Sequence, residues 1–145
     1  MILIIDDDLA SMETIYDALK MTIVNNKILH YHQPELVDEI MEKPEEIELI
    51  ILDIMFAGFS DEMKGGFKRG IEFYLNKNLF SASFPIIIFT NLEENDKRIR
   101  DFTENQFNRK KDVFLEKIKT STEELINVIN DKLGIRKKND PNNRR

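Results

Sequence analysis

Five side chains in this sequence could do chemistry together if folding gathers them. Asp6 and Asp7 stand in "MILIIDDDLASM", Asp53 in "LIILDIMF", Thr90 in "PIIIFTN" and Lys117 in "DVFLEK". Neighbouring carboxylates such as Asp6, Asp7 and Asp8 repel one another, and a cluster of them needs a cation, a proton or open water. Oxygen ligands without His or Cys suit Mg²⁺, which uses one or two carboxylates and keeps several waters. Beside such an ion, Asp53 could serve as a nucleophile toward phosphorus, because an aspartyl phosphate is an established type of covalent intermediate. The ion and the Lys117 ammonium would neutralise the phosphoryl oxygens, and Thr90 could hydrogen-bond to one of them. Taken singly, each residue has a plainer reading: a turn, a helix cap or a solvated end. The chemistry depends on their meeting.

The elements around them make that meeting an expectation. Ile2–Ile5, Ile47–Leu52 and Pro85–Phe89 are short, continuous apolar runs of the kind that form buried strands in a parallel sheet. Lys27–Tyr31 and Asp112–Leu115 are two weaker strands. Helical spacing of apolar residues fills the gaps, over Ala10–Lys20, Pro34–Glu42, Gly70–Leu79 and, most thinly, Leu92–Phe107. In Leu92–Phe107 only Leu92, Ile99, Phe102 and Phe107 could face a core. A last helix opens on a capping box, Ser121 with Glu124, and Gly134 is its expected C-cap. Strand and helix alternate about five times. This pattern predicts an α/β fold with a doubly wound, five-stranded parallel sheet and right-handed crossovers. In such sheets the functional crevice lies beyond the carboxyl ends of the strands, where Asp6, Asp7, Asp53, Thr90 and Lys117 all fall.

Composition narrows the rest. With 145 residues, 41% apolar and 33% charged, the chain suits one globular domain. A net charge of −6 speaks against nucleic-acid binding by bulk electrostatics. There is no cysteine, which removes disulfides, thiolate metal sites and cysteine nucleophiles. No signal peptide opens the chain and no apolar run could span a bilayer, so a cytoplasmic location is expected. Residues 1–134 form the expected domain, and the tail "IRKKNDPNNRR" over 135–145 reads as disordered.

The motifs "ILIIDDD", "LIILDIMFAGF", "PIIIFTN" and "FLEK", in this order and spacing, resemble the receiver domain of two-component response regulators over essentially residues 1–134. The resemblance implies the flavodoxin-like (βα)5 fold with strand order 2-1-3-4-5. It implies Asp53 as phosphoacceptor, Asp7 as a direct Mg²⁺ ligand, Asp6 acting mostly through metal-bound water, and the Met55 backbone carbonyl as a further ligand. Thr90 matches the family's switch hydroxyl, Lys117 its lysine and Phe114 its switch aromatic. Asp8 is left with a turn or capping role. The implied phosphodonor is a histidine of a sensor kinase or phosphotransfer protein. The implied output is a protein target, met at the face of the family's fourth helix, fifth strand and fifth helix, drawn here from about Leu92 to Leu133. A homodimer through that face is open. No DNA-binding domain follows residue 134, so a stand-alone receiver that acts on a protein or relays phosphate is one expectation.

The sequence departs from the family at four places. Ile118 follows the lysine where Pro is usual, often in a cis peptide. A non-proline cis bond costs about 2.5–4 kcal/mol, so a trans bond is expected. Asn91 replaces a very small residue after the threonine. The family's helix-starting glycine comes late, at Gly70, behind a loop with Ala57 in place of Pro and glycines at 58, 65 and 66. That loop reads equally as a mobile flap or a harmless insertion. Met55 and Leu92 occupy positions that tune dephosphorylation in the family, and two apolar side chains there predict a long-lived aspartyl phosphate. These departures keep open a degenerate receiver that serves as a constitutive binding module. An independent phosphohydrolase fits less well. The haloacid-dehalogenase pattern wants a second Asp where Met55 stands, and no G-x-x-x-x-G-K-[ST] loop is present. His30 and His32 share a face of a strand and read as structural or exposed.

Overall fold

The computed structural model describes residues 1–23, 26–56 and 69–138. Its centre is a five-stranded parallel sheet in the order β2-β1-β3-β4-β5. The three most apolar runs supply the three inner strands: β1 (Ile2–Ile5), β3 (Leu49–Leu52) and β4 (Ile86–Thr90), in which every residue is buried. The physical reason is that an inner strand of a parallel sheet is covered on both faces, so both of its side-chain rows must be apolar. The two weaker runs become the edges, β2 (Ile28–Tyr31) and β5 (Val113–Glu116).

Side-chain alternation along the strands divides the core into two layers. Leu3, Ile5, Ile50, Leu52, Ile86 and Ile88 face one side, against α2 (Asp38–Met41), α3 (Arg69–Asn76) and the β4–β5 connection. Ile2, Ile4, Leu49, Ile51, Ile87 and Phe89 face the other, against α1 (Leu9–Thr22) and α4 (Thr122–Lys138). Asp8 caps α1, its Oδ1 accepting the Ser11 N–H at 3.2 Å. The capping box is formed at α4: Ser121 Oγ accepts the Glu124 N–H at 3.1 Å, and Glu124 Oε1 accepts the Ser121 N–H at 3.4 Å.

Three helices differ from expectation. Pro34–Glu42 is not one helix but a 3-10 turn (Pro34–Val37) followed by the four-residue α2. Val37 sits between the two geometries at φ −100°, ψ 5°, which buries its side chain completely while Leu36 stays exposed. Leu92–Phe107 contains no regular α-helix. Turns closed by Asp96 N–H to Glu93 O and Ile99 N–H to Asp96 O lead into a π-helical turn at Phe102–Gln106. Leu92, Ile99, Phe102 and Phe107 are all buried, yet their uneven spacing does not make a helical stripe, and docking them sets the path of the chain. Finally, α4 runs through Gly134 to Lys138, so Gly134 is an ordinary helical position and not the cap. The first four residues of the expected tail are thus helical. Residues 139–145 and the loop with glycines 58, 65 and 66 lie outside the described residues. Among the described residues, no helix is long and apolar enough to cross a membrane.

At the amino ends of β4 and β5 the sheet carries a buried polar network. The Asp112 carboxylate accepts from Tyr74 Oη at 2.6 Å, Ile86 N at 2.8 Å and Lys111 Nζ at 2.7 Å. The Lys111 ammonium also donates to the Leu79 and Phe84 carbonyls, each at 2.9 Å. In the sequence pattern Asp112 is marked only as the first residue of a strand.

Candidate functional site

The registers of the sheet level the carboxyl ends of its strands. Ile5 pairs with Tyr31 and Leu52, Leu52 with Ile88, and Thr90 with Glu116. The residues next along each strand therefore rise at one edge, as the chain order required. Carboxylate oxygens of Asp6, Asp7 and Asp53 lie within 4.8 Å of one another. Asp6 and Asp53 are buried and Asp7 is half-buried. From the end of β5, Lys117 reaches in between them, its Nζ 2.7 Å from Asp6 Oδ2 and 3.1 Å from Asp53 Oδ2. The remaining oxygens of both aspartates accept local backbone N–H groups: Asp6 Oδ1 from Asp8 at 2.9 Å and Asp53 Oδ1 from Met55 at 3.0 Å. The Met55 backbone is thereby held beside Asp53, while its side chain is exposed.

Three carboxylates against one ammonium leave the site short of positive charge. Burial and then the neighbouring Asp53 charge push the Asp6 carboxyl from the usual 3.8 up to about 7, outweighing the help of Lys117 and the Asp8 N–H. Burial works against the Lys117 charge, but Asp53 and Asp6 outweigh it and hold the ammonium above the ordinary lysine range. This excess of hard oxygen donors fits a small divalent cation such as Mg²⁺.

Thr90 is fully buried at the end of β4, and its Oγ1 accepts the Leu92 N–H at 3.5 Å. Phe114 lies on the same face of the sheet, half-buried, with its ring edge-on to Phe107 at 6.3 Å. The Lys117–Ile118 bond is trans, as expected. Ile118 is 85% exposed, and Asn91 is exposed as well. Both line a cleft of about 430 Å³ between the start of α1 and the start of α4, with Lys117 and Phe89 in its wall. Leu92 does not face the aspartates; it is buried in the layer under α3.

Two residues beside the site have roles that the sequence pattern does not disclose. The pattern makes Gly70 a helix start, but its role is close approach: a Cβ there would stand 2.3 Å from both Asp53 O and Ile54 Cα. Its N–H donates to Ile54 O at 3.3 Å, which docks α3 on the end of β3. Phe89, in the same side-chain row as Lys117, carries its ring 5.8 Å from the Lys117 ammonium. The available signal was parity: Phe89 pairs with Leu115, so Lys117 is the next residue on that face.

No protein-family model and no curated protein matches the chain. Solved structures do. The receiver domain protein (CheY-like) from Methanospirillum hungatei superposes with a TM-score of 0.68 at 18% identity, covering 96% of this chain and 97% of that one. The BeF3-activated N-terminal receiver domain of Klebsiella pneumoniae RstA gives 0.65 at 20% identity, over 91% of this chain and 97% of that one. The signal receiver domain of a modulated diguanylate cyclase from Desulfovibrio desulfuricans gives 0.65 at 17%, over 96% and 97%. Together with the strand order 2-1-3-4-5, these likenesses establish that the chain has the fold of response-regulator receiver domains.

Proposed function

We propose that this chain is a phosphorylatable signalling receiver of a two-component system, with Asp53 as its phosphoacceptor. The observation that carries the reading is the approach of Lys117 Nζ to Asp53 at 3.1 Å inside the cluster of Asp6, Asp7 and Asp53. In the transfer, an Asp53 carboxylate oxygen forms a bond to phosphorus as the phosphorus–nitrogen bond of a phosphohistidine breaks. The bond's electrons return to the donor imidazole, which takes a proton from solvent. The donor belongs to a sensor histidine kinase or a phosphotransfer protein. Lys117 pairs with a phosphoryl oxygen, which moves it away from Asp53, and Thr90 donates a hydrogen bond to another. Asp6, Asp7, Asp53 and the Met55 carbonyl would hold Mg²⁺, which when bound offsets the charge accumulating on the phosphoryl oxygens.

Thr90 is the link to output. Rotating its hydroxyl toward the phosphoryl group gives up the Leu92 N–H bond at the start of the β4–β5 connection. Phe107 lies in that connection, and Phe114 packs edge-on against it. The change biases the face from Leu92 to Leu133 toward a downstream protein target. Met55 and Leu92 bring no polar side chain to the water that would hydrolyse the acyl phosphate. A long-lived phosphoprotein is therefore expected, and a lifetime of seconds in the purified protein would refute that expectation.

The test is treatment with Mg²⁺ and acetyl phosphate, followed by intact mass measurement. Wild type should gain one phosphoryl group, and Asp53→Asn should gain none. No gain in wild type, with no Mg²⁺ binding, would overturn the reading in favour of a degenerate receiver used as a constitutive binding module.

A further inference from the structure

We infer that Phe89 is a positioning residue for Lys117, doing by ring stacking what a proline after the lysine would do by backbone constraint. The inference concerns the aim of the ammonium, and its consequence for transfer rests on the receiver reading above. Lys117 is followed by Ile118, whose bond is trans and whose side chain is 85% exposed, so its side chain does not pack under the lysine. The ammonium must nevertheless sit between two buried carboxylates, at 2.7 Å from Asp6 and 3.1 Å from Asp53.

A four-carbon side chain has many rotamers, and restraining it needs a fixed neighbour besides the acids. Phe89 is such a neighbour. It is only 6% exposed and fixed in β4, and its ring centre lies 5.8 Å from Nζ, within the distance at which a ring face attracts a cation. Phe89 and Lys117 share the wall of the cleft of about 430 Å³ that Ser11, Thr14 and Thr120 also line, and an unrestrained lysine could turn into it. Phe89 therefore favours the rotamers that face the aspartates over those that face the cleft. A Leu at this position would stay apolar and fill most of the space but lose the negative ring face.

Phe89→Leu and Phe89→Tyr separate positioning from packing. In wild type, side-chain NMR should find ring-current-shifted Lys117 ε-methylene protons and an ammonium protected from exchange. Phe89→Leu should lose both, and acetyl phosphate should label its Asp53 about three- to tenfold more slowly. Phe89→Tyr, which keeps the ring, should restore both properties and the rate, even if the two variants have equal melting temperatures. Equal Lys117 spectra in wild type and Phe89→Leu, or a labelling rate unchanged by Leu, overturns the inference. If wild type takes no phosphoryl group at all, the receiver reading fails, and the Lys117 spectra alone decide whether Phe89 aims the ammonium.

Discussion

At the scale of single residues, the charge imbalance of the aspartate cluster has a signature in pH. The Asp6 carboxyl, pushed up to about 7 by burial and Asp53, keeps its proton in the folded metal-free protein at pH values where the unfolded chain has lost it. Between its ordinary value of 3.8 and about 7 the folded state binds more protons than the unfolded one, so stability falls as pH rises through that window. Each tenfold change in a protonation equilibrium is worth about 1.4 kcal/mol, so the rise from 3.8 to about 7, in which the help of Lys117 is already counted, corresponds to a total fall on the order of 4 kcal/mol. Denaturant melts in a chelator should record this decline, and Asp6→Asn should flatten it. Added Mg²⁺ should restore stability most at the alkaline end; a wild-type profile as flat as that of Asp6→Asn would defeat the assignment. Gly70 predicts a second effect. A methyl group 2.3 Å from Asp53 O and Ile54 Cα meets backbone that cannot step aside without shifting the end of β3. Gly70→Ala should cost about 1–3 kcal/mol in urea melts and weaken Mg²⁺ binding as well. A variant with wild-type values of both would show that β3 and α3 are not locked there. The aspartates, Thr90 and Lys117 were legible in the sequence because a strand end is a place, and a polar residue closing an apolar run marks it. Gly70 and Phe89 were not, because their roles depend on which backbone or side chain arrives from another element.

At the scale of elements, the connection from β4 to β5 is the part of the fold that departs most from strand–helix alternation. It runs through turns and a π-helical turn, and side chains help to close it. The Arg109 guanidinium pairs with Glu94, donates to the Thr103 carbonyl at 2.8 Å and lies 5.9 Å from the centre of the Phe107 ring. One residue thus ties the start, middle and end of the segment. Arg109→Ala should speed amide hydrogen exchange across residues 93–107 and leave β1 and β3 protected. Because Arg109 is exposed and Glu94 is only half-buried, global stability should fall by less than about 1 kcal/mol. Unchanged exchange in that stretch would mean that the buried aromatics alone hold it. The same contrast explains what the sequence disclosed about the elements. Inner strands announce themselves because burial on both faces demands an unbroken apolar run. The segment from Leu92 to Phe107 carries its four anchors at spacings that match no regular period. The sequence pointed to the right anchors there, but their path had to come from the aromatic contacts among Tyr74, Phe102, Phe107 and Phe114.

At the scale of the whole molecule, the sheet has charged groups buried at both ends, with opposite demands. The carboxyl end holds surplus negative charge, which suits a cation. The amino end is complete, since the Asp112 carboxylate is met by Lys111, Tyr74 and the Ile86 N–H, and Lys111 is further held by two carbonyls. Burial, and then the Asp112 carboxylate beside it, push the Tyr74 hydroxyl above the usual tyrosine range, so it remains a donor at any physiological pH. Removing one member of a closed buried set leaves the others unpaired, which costs more than the set contributes. Asp112→Ala should therefore lose about 3–5 kcal/mol, because it strands the Lys111 ammonium, whereas Tyr74→Phe should lose only about 1–2 kcal/mol. Neither change should reach the aspartate cluster, which lies a full strand length away, about 15 Å at the usual rise per residue. Tyr74→Phe, the milder variant, makes the comparison under conditions where the protein is folded. Its urea midpoint should drop while its Mg²⁺ affinity and its rate of labelling by acetyl phosphate stay at wild-type values. A parallel loss of Mg²⁺ affinity would mean that the two ends are coupled through β4 and β5, and that the lower network tunes the site as well as holding the fold.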